Sequence, residues 1–122
     1  MMLRHGLAAA LGGVLFWSAA ADAAVLLSPP LVAEGSRVLD CYLVNVGSVA
    51  RSVKIEVLNR AGTVVKTVNT TLDPFEEDVA RTTSAQQGRV CRFTVPGDKN
   101  QYRASILVRQ NGVGAISALA AF

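Results

Sequence analysis

Along residues 50 to 59 apolar and polar side chains alternate, with Val53, Ile55 and Val57 on one parity and Ser52, Lys54 and Glu56 on the other. An extended chain sends successive side chains to opposite faces, so the pattern predicts a strand with one dry and one wet side. Cys91, Phe93 and Val95 alternate with Arg92 and Thr94 in the same way, and Tyr102, Ala104, Ile106 and Val108 with Arg103, Ser105, Leu107 and Arg109. Cys41 shares parity with Leu39 and Leu43, which predicts that it faces the same interior as Cys91. Turn-forming groups such as Ser28-Pro29-Pro30, Asn59 to Gly62, Asp73-Pro74 and Pro96-Gly97-Asp98 punctuate the chain at near-regular intervals. The strands expected between them span 24 to 32, 37 to 46, 50 to 59, 63 to 71, 76 to 83, 89 to 95 and 101 to 110. A last apolar stretch at 113 to 119 reads as an eighth strand or an extension. No segment carries a helical period, so the expectation is all-β: an antiparallel sandwich of seven to eight strands.

The N-terminus follows a different rule. One positive charge lies within Met1 to His5, Leu7 to Trp17 form an apolar run of 11 residues, and a small-residue stretch ends in an Ala-x-Ala match at Ala23. That three-part layout is that of a secretory signal peptide. The run falls short of the roughly 20 apolar residues a bilayer crossing needs. Residues 1–23 are therefore expected to be cleaved, leaving 24–122 as a single domain in the periplasm or outside the cell, with no transmembrane segment.

Export changes how the two cysteines read. Cys41 and Cys91 are the only ones, and an even count in an exported chain predicts a disulfide. The alternatives are two buried thiols or half of a metal site. A metal site would need further soft or imidazole ligands, and the only histidine, His5, lies in the leader. Cys41 falls on the second expected strand and Cys91 on the sixth. In that spacing the chain resembles an immunoglobulin-like sandwich, in which a bridge joins the second and sixth strands across the core. The resemblance is one of architecture and matches no characterised family more closely. It departs from true immunoglobulin domains in lacking Trp on the third strand and in placing Arg89 where a corner Tyr would stand.

Charge and composition then narrow the chemistry. The 122 residues hold 12 Lys and Arg against 9 Asp and Glu, a net charge of +3. Without histidine after residue 23, a Ser or Cys nucleophile has no imidazole base, and no cofactor is expected. Asp73, Glu76, Glu77 and Asp78 form the densest acidic group, readable as a cation site, a carboxylate pair for hydrolysis, or a solvated loop. Arg92, Arg103 and Arg109 share outward parity on two consecutive strands and are expected to form a basic stripe that meets an anionic surface ligand or acidic partner. Tyr42, Val44 and Val46, opposite in parity to Cys41, are expected to form an outward apolar strip for a protein partner. Nucleic acid is not an expected partner. The expectation is a monomeric, non-enzymatic binding or structural module. The alternatives are a pilin-like assembly subunit of a surface fibre and a small hydrolase using the acidic group.

Overall fold

The computed structural model describes residues 23–34, 37–83, 88–110 and 114–122. The leader before Ala23 and the expected turns at Gly35-Ser36 and Asn111-Gly112 lie outside the described residues. Eight strands follow in order: β1 (Ala23–Leu27), β2 (Arg37–Asn45), β3 (Arg51–Leu58), β4 (Val64–Leu72), β5 (Glu77–Thr83), β6 (Val90–Pro96), β7 (Tyr102–Gln110) and β8 (Gly114–Ala120). They form two four-stranded antiparallel sheets, β1-β6-β3-β4 and β5-β2-β7-β8. The sheets stack with β4 against β5 and β6 against β7.

The dry parity of each strand meets in the middle. Leu39, Cys41 and Leu43 from β2 pack with Ile55 and Val57 from β3, Phe93 and Val95 from β6, and Ile106 and Val108 from β7. Cys41 and Cys91 are bonded to each other there, with Cα atoms 5.7 Å apart and no solvent exposure, so the bridge pins one sheet to the other. Tyr102 fills the same core and donates its hydroxyl to the Pro96 carbonyl at 2.6 Å, which satisfies the one polar atom it buries.

Two expectations need correction. The first strand ends at Leu27 and does not run to residue 32. Pro29 and Pro30 have no N–H for a ladder. Ser28 still accepts the Cys91 N–H through its hydroxyl, and Leu31 returns only as an isolated bridge to Arg89. The strand order also differs from the immunoglobulin arrangement, where the seventh strand lies beside the sixth. Both flanks of β6 are occupied, by β3 and β1, so no edge is left for β7. The turn after Pro96 carries the chain to the other sheet instead: Gly97 takes φ 79° and a short 3-10 turn spans Lys99–Gln101. The Val46 N–H then donates to the Gln101 carbonyl, seating β7 against β2.

The two lateral flanks of the sandwich differ. On one, Phe122 exchanges two backbone hydrogen bonds with Leu27, so the end of the chain joins β8 to the edge of β1. On the other, β4 and β5 are the outermost strands, joined by the turn at Asp73 to Glu76. Asn45, fully buried, ties this turn to the rest. Its amide donates to the carbonyls of Val49 and Leu72, its side-chain oxygen accepts from Gly47, and its backbone bonds Phe75 and Glu76.

Candidate functional site

The outer face of β5-β2-β7-β8 gathers Tyr42, Val44, Arg103 and Arg109. Tyr42 stands between Val79 on β5 and Ser105 on β7, and Val44 between Glu77 and Arg103. Both are half-buried, flanked by these neighbours on either side, and they alternate with the fully buried Cys41 and Leu43. Val46 lies one residue beyond the end of β2, in the turn.

One rung along, the same face holds a charge cluster that sequence reasoning missed. Asp40 points to the outer side, yet its side chain has no exposure. Arg81, directly opposite on β5, places Nε 2.7 Å from Oδ1. Arg109 reaches diagonally from β7 and places Nε 2.6 Å from Oδ2. Each carboxylate oxygen is thus taken by a guanidinium from a different neighbouring strand, and the three strands are cross-linked on their solvent side. The Asp40 carboxylate holds the Arg81 guanidinium above its ordinary value, with a smaller contribution from the Tyr42 phenol. The cluster carries one net positive charge, and on the same face Arg103 and Glu77, on either side of Val44, carry opposite charges. A signal did exist in the sequence: a single acid within Val38-Leu39-Asp40-Cys41-Tyr42-Leu43 needs cationic cross-strand neighbours. Which arginines supply them depends on register.

The expected three-arginine stripe does not assemble. Arg103 and Arg109 lie on β7, whereas Arg92 lies on β6 in the other sheet. Parity was shared, but β6 and β7 are not neighbours. Arg92 is engaged on its own face by Glu56, with Nε to Oε1 at 2.9 Å and Nη2 to Oε2 at 3.1 Å, a two-pronged ion pair. Arg103 turns its Nη1 back to the carbonyls of Asn100 and Tyr102.

The Glu56 carboxyl is held below its ordinary value of 4.5, first by the Arg92 hydrogen bonds, against the opposing effect of burial, and with help from Lys54. A carboxyl depressed in the folded state binds its proton more weakly there than in the unfolded chain. Its stabilisation is complete above the unfolded value and is lost as pH falls through the folded one. Glu56→Gln is therefore expected to be less stable than the parent at about pH 7, with the difference closing as pH falls from about 4.5 toward 2. Urea midpoints across that range check this, and a pH-independent difference contradicts it.

The acidic group folds onto its own turn. Glu76 Oε1 accepts the Asp73 N–H and Asp78 Oδ1 accepts the Val79 N–H. Among the described residues no group of three His, Cys, Asp or Glu side chains is placed to hold a metal ion. An open trough of about 510 Å³ crosses the outer side of the other sheet over Ser52, Lys54, Asn69, Thr71 and Thr94. Its lining mixes these polar side chains with the apolar Ala23, Val53 and Pro96 and has no aromatic ring on which a sugar could stack. Among the described residues no helix is long and apolar enough to cross a membrane.

The fold is that of a disulfide-bonded all-β sandwich of two four-stranded sheets. It is similar to the crystal structure of Thermotoga maritima 1070, with a TM-score of 0.57 over 80% of this chain and 91% of that one, at 7% sequence identity. A likeness at that identity is one of fold alone. No family model matches the chain, and no curated protein does.

Proposed function

We propose that this chain is exported with residues 1–23 removed and acts, in the periplasm or outside the cell, as a non-enzymatic binding or structural module on a disulfide-bonded β-sandwich. The leader pattern and the buried Cys41–Cys91 bridge support export, because disulfides form and persist in oxidising compartments. The outer face of β5-β2-β7-β8 is the proposed contact surface. The observation that carries it is the half-buried pair Tyr42 and Val44, set between Arg81 and Arg103 on strands that the Asp40 cluster holds in register. Tyrosine and arginine are the side chains that interfaces favour, since each offers a large contact area with a polar tip. A protein partner with an acidic rim and an apolar centre fits this face.

Intact mass of the envelope-derived chain is expected to start at Ala24 and to be two hydrogens lighter than the dithiol. Immobilised 24–122 is expected to retain a partner from the envelope fraction. Tyr42→Asp and Val44→Asp are each expected to reduce that capture about tenfold or more, the loss usual for an interface anchor. Equal capture by both variants, or none by the parent, overturns the reading.

A further inference from the structure

We propose that this chain associates head to tail with a second copy of itself, the Phe75 ring of one copy entering the hollow between β1 and β8 of the next. The inference goes beyond the reading above, since it needs only the folded sandwich and not export, and it shares only Arg103 with the Tyr42 face.

It starts from a turn that breaks a local rule. Glu76 N–H donates to the Asp73 carbonyl at 3.0 Å, so Asp73 to Glu76 is a four-residue turn with Pro74 second and Phe75 third. Phe75 has φ 64°. Glycine or asparagine takes that conformation readily, while a bulky side chain is strained in it. The strain is held in place by the Phe75 N–H bond to the Asn45 carbonyl and the Asn45 N–H bond to the Glu76 carbonyl. The ring itself is 78% exposed and so gains little from packing against the described residues. A backbone outlier that carries an exposed aromatic motivates a functional reading of the position. Asp73, Glu76, Glu77 and Asp78 flank it, so the ring is presented from an acidic turn.

The complementary surface lies on the same molecule. Between β1 and β8 is a hollow of about 270 Å³, walled by the apolar Leu26, Ala104, Ala120 and Phe122 and bordered by Lys99 and Arg103. An apolar cavity of about 150 Å³ admits a benzene ring, so a phenyl side chain fits with room to spare. Lys99 and Arg103 would face the acids beside Phe75. The two features sit on opposite flanks, β4 and β5 ending one and β1 and β8 the other. A chain therefore cannot fill its own hollow, and a contact that uses one ring and one hollow leaves the other ring and hollow open to repeat it. That is a heterologous contact, which extends into a row or closes as a ring. With one aromatic anchor the affinity is low, so association is expected only when the chain is concentrated.

Sedimentation velocity of the purified chain with its disulfide intact tests this. Mass is expected to grow past the dimer as concentration rises from about 20 μM to about 1 mM, and to fall back when salt is raised. Phe75→Gly, which suits the positive φ, is expected to stay monomeric. Lys99→Glu, on the exposed turn, tests the hollow's border without filling it and is expected to abolish growth as well. An equimolar mixture of Phe75→Gly and Lys99→Glu is expected to stop at pairs, because one supplies only the hollow and the other only the ring. A parent chain that is monomeric at about 1 mM, growth that stops at the dimer, or association that survives Phe75→Gly, overturns the proposal.

Discussion

Replacing both Cys41 and Cys91 with alanine is expected to lower the unfolding free energy by about 4 kcal/mol, the chain-entropy value for a closed loop of this length. The two residues are 50 apart in sequence and both are fully buried. Between them run the rest of β2 and all of β3, β4 and β5, so the open chain gains the freedom of half the fold. Small domains are stable by roughly 5–15 kcal/mol in total, so the bridge supplies a large share. For a domain of about 100 residues, each kcal/mol corresponds to roughly 4–8 °C, and the melting temperature should fall by roughly 15–30 °C. Calorimetry of the parent and the double alanine variant measures it. A loss under about 1 kcal/mol would mean that the unfolded chain is little freer without the bridge than with it.

The same bridge shows how far the alternation pattern reaches. Leu39, Cys41 and Leu43 share a face in the sequence and in the fold, and so do Cys91, Phe93 and Val95. Strands β2 to β7 begin and end within two residues of the expected spans, because a buried strand must keep period two to keep its apolar side dry. Alternation specifies the face of each residue and leaves its neighbour open. Arg92 and Arg109 both point outward, as expected, yet they serve opposite sheets, because β1 fills the place beside β6 that the sequence reading gave to β7. The Phe75 turn was half legible: Asp73-Pro74 signals a turn, and a turn with proline second and a positive φ third exposes phenylalanine as the exception. The hollow that would receive it is invisible in the sequence, since it arises only where the chain's end crosses from β8 to β1.

The Asp40 cluster depended on the same missing knowledge of neighbours, and its energetics yield the second large expected effect. Each arginine keeps a path to water, with side-chain exposures of 47% for Arg81 and 27% for Arg109, whereas Asp40 has none. The cost of breaking the cluster is therefore asymmetric. Asp40→Ala releases two guanidiniums that can turn outward, and should cost only about 1–2 kcal/mol. Arg81→Ala or Arg109→Ala alone leaves one charged partner on the carboxylate. Removing both arginines strands a buried carboxylate without a counter-charge, for which about 3–5 kcal/mol is expected. Adding Asp40→Leu to that double variant should recover most of the loss, because an apolar residue beside Leu107 needs no partner. Urea unfolding of the single, double and triple variants forms the test. If the double variant loses no more than the sum of the singles, the two arginines act independently and the three strands are not joined through Asp40.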